Sequence, residues 1–290
     1  MLNKARQIVL EYGDDSLTIQ GDSSVRSDLY IADEGIEGWF SNPTAKVSSS
    51  ERTTGDGSHR VVDSGVLYNS RTVSFSVYVI GKDRTEVVDG IKKLIYYSKK
   101  IVRIYVYDAQ DCTYCDGYVK FDVDKSWDVN YAKVSVTVVC QDPVRLSKEV
   151  SSGYMEPSPD PSGGLQFEDS ILVFPLKWGK QSVVNNTCTT HNSGTIVSYP
   201  IITVSGNFPN GFSITNQETG EKLSYSEPVN WGSPIIMNCS KRTASSNGVD
   251  VTRNLSERGF PAVPPKSDLS LSFLAYGVGT CEVVVHDSYI

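Results

Sequence analysis

The chain contains no apolar run approaching the roughly 18 to 20 residues that a membrane-spanning helix requires. Its Lys and Arg residues are scattered, with no dense basic stretch to track a phosphate backbone. Neither a membrane nor a nucleic acid is therefore an expected partner. Histidine is scarce, with three residues, and so is methionine, also three. The basic start Met1-Leu2-Asn3-Lys4-Ala5-Arg6-Gln7 runs into Glu11, Asp14 and Asp15 before any apolar core develops, so an export signal is not expected. The sequence lacks a G-x-S-x-G elbow and an H-E-x-x-H zinc pattern. Gly55-x-Gly57 and Gly277-x-Gly279 lack the strand-to-helix setting of a nucleotide fingerprint.

What is present favours strands. The 290 residues are 39% apolar and 21% charged, a globular composition long enough for two ordinary domains. Val, Thr, Ser and Tyr are abundant, and 23 Gly with 13 Pro supply turns. The net charge of -7 and pI near 5.1 suit a soluble particle. Six cysteines (Cys112, Cys115, Cys140, Cys188, Cys239 and Cys281) are expected as reduced, mostly buried thiols, because a chain of this size needs no stapling.

Along the first half, Gln7–Leu10 and Ser16–Ile19 read as short strands joined by Gly13-Asp14-Asp15. Ser48 to Gly65 is polar and turn-rich, an exposed loop or hairpin tip. From Arg71 to Val79 the apolar residues Val73, Phe75, Val77 and Val79 alternate with period two, a strong strand signal. Arg84 to Lys99 is the one amphipathic helix: Val87, Val88, Ile91, Leu94 and Ile95 share a face, and lysines gather toward the C-terminal end. Gly90 interrupts it. Strands follow at Ile101–Tyr107, Gly117–Val123 and Lys133–Cys140. These elements predict a mostly β, α+β fold: an N-terminal β-sandwich-like domain over residues 1–146 with one packed α-helix. Residues 147–166 read as a breaker-rich linker, and residues 167–290 as a β-sandwich of short strands with Gly-rich turns.

Few residues suggest chemistry. Cys112-x-x-Cys115 lacks a second ligand pair, and the segment Asp111–Gly117 reads as a turn between strands. His59 and His191 fall in expected loops and His286 near the C-terminus, with no surrounding catalytic motif. Asp122 and Asp124 share a strand face, where solvated carboxylates are commoner than a hydrolytic pair. Trp39, Trp127, Trp178 and Trp231 are core or interface residues, or a platform for sugar stacking, chiefly in the second domain. No catalytic, cofactor-binding or metal residue is therefore assigned, no cofactor is expected, and the chain does not read as an enzyme.

The order of these elements resembles the distal tail protein family of siphovirus-type bacteriophages. The likeness rests on Gly55-Asp56-Gly57, the strand from Arg71 to Ile80, the helix from Arg84 to Lys99, and strands closing at Asp142-Pro143. It continues in Asn192-Ser193-Gly194 and Ser198-Tyr199-Pro200-Ile201-Ile202-Thr203-Val204-Ser205-Gly206, similar to that family's Asn-x-Gly and Pro-x5-Gly element. Ile214-Thr215-Asn216, Thr219-Gly220 and Gly277-x-Gly279 complete it. A longer linker at Ser147–Gln166 and a loop-rich stretch at Ser240–Lys266 depart from the family pattern.

The resemblance implies a virion structural protein, made in the bacterial host cytoplasm and placed at the distal end of the tail. It implies a homo-hexameric ring built by the first domain, with a galectin-like second sandwich. Its implied partners are the tail tube protein and the tail-tip or hub protein, with tape-measure and receptor-binding proteins as further candidates. The competing expectation is a carbohydrate- or receptor-binding tail module, and a third is a cell-wall hydrolase.

Overall fold

Alternation of apolar and polar residues sets the first half of the molecule, because a strand places successive side chains on opposite faces. The computed structural model describes residues 5–47, 52–56, 66–109, 111–125, 128–157 and 185–290. Contacts divide the chain into one unit of Met1–Lys148 with Tyr289–Ile290 and another of Glu149–Ser288.

In the first unit the strands are β1 (Gln7–Tyr12), β2 (Asp15–Gln20), β3 (Leu29–Glu37), β4 (Arg71–Ile80), β5 (Ile101–Asp108), β6 (Asp111–Val123) and β7 (Tyr131–Cys140). They pair in the circuit β1-β2-β3-β4-β7-β6-β5 and back to β1. The expected sandwich-like domain is therefore a closed seven-stranded barrel, within the mostly β class. Closure depends on the length of β6. Its first part pairs with β5 from Asp111 to Tyr118, and its second part pairs with β7 from Gly117 to Val123. One long strand changing partners closes the circuit of strands on itself. Every second residue points inward: Ile8 and Leu10, Val73 to Val79, Val102 to Val106, and Val134 to Val138 are all buried and fill the interior.

The helix α1 (Arg84–Ile95) packs against β4 and β7 and ends four residues before the expected Lys99. The Asp83 side chain caps it, accepting from the amides of Thr85 (2.8 Å) and Glu86 (3.0 Å), and Glu86 returns to the Lys82 amide (2.8 Å). Val87, Ile91 and Leu94 face the core. Gly90, a weakness by helix propensity, lies against the barrel wall where a Cβ would overlap Val79 Cγ1. A β-branched side chain is stiff at χ1, so the close approach of helix and strand requires glycine here.

β8 (Arg145–Met155) occupies the first part of the expected linker, and the unit boundary falls within it. Residues 158–166, the rest of that linker, lie outside the described residues. Polar residues on both faces of β8 (Ser147, Lys148, Glu149, Ser151, Ser152) hid it from an apolar-period reading.

The second unit is a sandwich of two antiparallel sheets. One orders β15 (Val249–Asp250), β14 (Thr243–Ser246), β13 (Ile235–Asn238), β10 (Ile201–Asn207) and β18 (Val278–Tyr289). The other orders β16 (Leu255–Arg258), β12 (Lys222–Tyr225), β11 (Phe212–Asn216), β17 (Ser267–Ala275) and β9 (Thr187–Asn192). Phe208, Phe212 and Phe273 pack edge-on or tilted in the core with Ile202, Val204, Leu271 and Val283. Ser240–Lys266, expected to be loop-rich, instead contributes β14, β15, β16 and a 3-10 turn at Thr252–Asn254. The buried Asn192 ties this unit together. Its Nδ2 donates to the carbonyls of Ile196 (2.9 Å), Val263 (3.1 Å) and Pro264 (3.2 Å), and its Oδ1 accepts from the Gly194 amide (2.9 Å).

Candidate interaction surfaces

The connection between β3 and β4 carries the first surface. Thr44–Val47 and Val66–Asn69 run antiparallel: Ala45 pairs with Tyr68, the Lys46 amide donates to the Leu67 carbonyl (2.6 Å), and the Asn69 amide donates to the Thr44 carbonyl (2.8 Å). Nearly every residue of both legs is exposed, including Phe40, Val47, Val66 and Leu67. The two legs form the root of a ribbon that stands clear of the barrel. The expected Ser48–Gly65 loop falls between these two legs in the sequence. Ser48–Glu51 and Gly57–Gly65 lie outside the described residues.

Arg71, the first residue of β4, fixes that root. It continues the inward register of Val73, Phe75, Val77 and Val79 and is 1% exposed. Its Nη1 donates to the carbonyls of Gly38 (2.6 Å), Trp39 (3.0 Å) and Ser41 (2.8 Å), and its Nε donates to Pro143 (2.9 Å). One guanidinium thus bridges the outgoing leg, the returning leg and the segment after β7. Burial lowers its pKa from the ordinary value, but arginine keeps its proton in proteins, so the buried charge depends on these carbonyls. Trp39 is fully buried beneath, its indole Nε1 donating to Thr113 Oγ1 (3.3 Å), and the Arg145 guanidinium lies 5.8 Å from the Trp39 ring and 5.6 Å from that of Phe40. At Gly38 the chain turns with φ of 80°, and a Cβ would meet the Thr72 carbonyl.

A second surface lies at the other end of the same unit's strand circuit. Glu11, Tyr12, Gly13, Ile101, Val102, Arg103 and Asp116 line a cleft of about 300 Å³. Arg103 grips Asp116 through two hydrogen bonds (2.7 and 3.0 Å) on one wall. Lys100 Nζ lies over the rings of Tyr12 (4.4 Å) and Tyr96 (3.1 Å), and the Tyr96 hydroxyl donates to Asp15 (2.6 Å). Tyr12, Ile95, Tyr96 and Ile101 are left exposed together at this end of α1.

A third surface belongs to the second unit. Trp231 is 65% exposed, as is Val249. The Asn247 amide at the β14–β15 turn donates to the Gly232 carbonyl and to Ser233 Oγ, both at 3.2 Å, which ties the Trp231 loop to the hairpin tip.

The residues singled out for chemistry do not converge. Cys112 and Cys115 lie within β6 rather than in a turn, and their odd spacing sends them to opposite faces, so they cannot hold one ion together. Five of the six cysteines are buried; burial pushes the Cys188 thiol up to about 11 and Cys239 up to about 12. Asp122 and Asp124 are exposed at the end of β6. His191 Nδ1 meets Asp268 (2.6 Å) on an exposed surface, and His286 lies in β18. His59, Trp127 and Trp178 lie outside the described residues. Among the described residues, no three His, Cys, Asp or Glu side chains gather as a metal site. Sequence reasoning missed Arg71, although the signal was there: a cation in the inward phase of an apolar strand.

Solved structures that share this architecture include two from phages. The Dit protein of phage SPP1, a paradigm of the hub adsorption apparatus in phages infecting Gram-positive bacteria, matches with a TM-score of 0.63 at 13% identity, over 98% of this chain and 99% of that one. A chain of the phage p2 baseplate, in its activated conformation with Sr, matches with a TM-score of 0.56 at 10% identity, over 97% of each. No protein-family model matches the sequence, and no curated protein matches it. The chain has the fold of siphophage distal tail and baseplate proteins over almost its whole length.

Replacing Arg71 with Leu removes its four side-chain hydrogen bonds and leaves backbone carbonyls unpaired. The expected cost is about 3 kcal/mol or more, a fall of roughly 6 to 12 °C in the melting of a unit this size. Arg71→Lys recovers little, because an ammonium lacks the planar fork. Thermal unfolding followed by circular dichroism measures both, and limited proteolysis near Phe40 reads out the loosened root.

Proposed function

We propose that this chain is a structural subunit of a long-tailed bacteriophage virion, forming a hexameric ring at the distal end of the tail that joins the tail tube to the tip or baseplate. The observation that carries this reading is the shared two-unit architecture with the SPP1 Dit protein, which runs through nearly the full length of both chains. The barrel unit is the ring-forming part. Its sheet has no open edge in the closed circuit, so subunits join through side-chain surfaces and the exposed ribbon root rather than by strand addition. The chain acts by holding protein partners in register and carries out no chemistry. The tail tube and tail-tip proteins are its direct neighbours.

A second reading attaches to the sandwich unit alone. Trp231 presents a large aromatic surface beside the hydrogen-bonding side chains of Asn247 and Ser233, a combination suited to stacking on a sugar face. On this reading the second unit contacts host-surface carbohydrate while the first builds the ring.

Immunogold electron microscopy of the parent virions, with antibody against this chain, is expected to label the far tip of the tail; label confined to the capsid or neck contradicts the assignment. For the sugar reading, a glycan array on the full chain is expected to give saturable binding that Trp231→Ala lowers by at least about tenfold, the loss of roughly 1.4 kcal/mol of stacking. Binding that is absent, or unchanged by the substitution, removes that reading.

A further inference from the structure

Arg71, Cys140 and Gly117 form one row across three adjacent strands. Arg71 of β4 is opposite Cys140 of β7, and Cys140 is opposite Gly117 of β6. Cys115 is the next residue of β6 on the same face, because side chains two apart in a strand point the same way. Gly117 leaves the place beside Cys140 without a side chain; a Cβ there would lie 3.1 Å from Cys140 Cα. Both cysteines belong to the barrel core, Cys115 at 3% and Cys140 at 0% exposure. The Cys115 thiol can donate to the Val144 carbonyl (3.3 Å) or to Cys140, with which it is in hydrogen-bond contact.

The cation beside this pair separates the roles of the two sulfurs. Arg71 Nη2 is buried with no hydrogen-bond partner among the described residues, and the sulfurs of Cys115 and Cys140 act on the charge of this guanidinium. A thiolate is the nucleophile in sulfur oxidation, and a neighbouring cation favours it. The hydrogen bond from Cys115 holds the Cys140 thiol below its ordinary range, and Arg71 adds to the effect against desolvation. The same hydrogen bond, with burial, pushes Cys115 up, so it keeps its proton until its partner has reacted. Burial pushes Cys188, Cys239 and Cys281 upward as well, which sets Cys140 apart.

We propose that Cys115 and Cys140 are a redox pair that closes to a disulfide across the β6–β7 seam when the chain meets a peroxide. The Cys140 thiolate attacks one peroxide oxygen, the O–O bond breaks, and the leaving hydroxide takes up a proton as water. The Cys115 sulfur then attacks the sulfenic acid formed at Cys140. The S–S bond forms, the S–O bond breaks, and the hydroxyl group leaves as water with the Cys115 proton. Two thiols lose two electrons, and one peroxide is reduced to two waters. The bond fastens β6 to β7 where β6 passes from one partner to the other, the step that closes the barrel. Both sulfurs are buried, so a small oxidant entering by local opening of the seam is required. The chemistry does not depend on the ring reading; the virion reading supplies only the passage from a reducing cytoplasm to oxidising surroundings.

The full chain, purified under reductant and freed of it, is treated with hydrogen peroxide, then unfolded in guanidinium for counting of its thiols. The six thiols should fall to four, with an intact mass lower by two hydrogens and a peptide map joining Cys115 to Cys140. The oxidised chain should melt about 5 to 10 °C above the reduced one, because the bond constrains the unfolded state. Cys115→Ala should form no disulfide and should leave Cys140 as a sulfenic acid that a cyclic diketone traps. Cys140→Ala should trap none at Cys115, and Cys112→Ser should close the bond as the parent does. A parent that keeps six thiols, a bond joining other cysteines, or a bond that forms only after unfolding overturns the proposal. These readouts on the parent chain decide the pairing even where a core variant folds poorly. Trapping at Cys115 in place of Cys140 overturns the assignment of roles. None of these outcomes touches the ring reading, which the state of assembly tests separately.

Discussion

A single buried cation organises the point where the connection between β3 and β4 leaves the barrel. Arg71 sits where the apolar register of β4 would place another valine, and its guanidinium donates only to backbone carbonyls, drawn from the two segments Gly38–Ser41 and Pro143, while its Nη2 is buried without a partner among the described residues. A buried charge of this kind is costly unless every nearby acceptor is in position. The cost makes the arrangement specific: the outgoing leg at Gly38–Ser41, the returning leg at Arg71 and the chain after β7 are held together or the charge is stranded. Trp39 and Arg145 seal the same node. The direction in which the ribbon leaves the barrel therefore follows from one side chain.

Much of the fold was legible because alternation and helical period are strong where one face is buried. β4 and β7 carry the alternation without interruption and α1 carries the helical period despite Gly90, and all three form where expected, α1 with a shorter C-terminal end. Barrel closure was not legible. Nothing in the local pattern of Asp111–Val123 states that its two halves pair with different strands. β3 escaped notice because Asp33, Glu34 and Gly35 interrupt its apolar run where the register with β4 shifts. β8, β9 and β14 escaped for the opposite reason: their strands are polar, and partners rather than their own composition make them extended.

The candidate surfaces show the same division. The Asn-x-Gly element noted in the sequence proved to be a fold-building feature, with the Asn192 side-chain amide bonding five backbone groups inside the sandwich. Trp39 likewise turned out to be buried, and Trp231 exposed, a difference that composition cannot supply. The cleft joins residues from β1, β5 and β6 that are up to about a hundred positions apart in sequence, so only the closed sheet could bring them together. Interaction surfaces made in this way carry no motif. They are consequences of topology, which is why a likeness of fold can extend along two chains at 13% identity.

The central claim is that the barrel unit assembles head to tail into a closed ring. Native mass spectrometry of the purified full chain, combined with negative-stain imaging, tests it directly. The account predicts a species of six times 31.8 kDa with a six-fold ring outline. A stable two-fold dimer that excludes larger assemblies would contradict it, because an isologous contact uses one surface twice and leaves no way to close a ring of six.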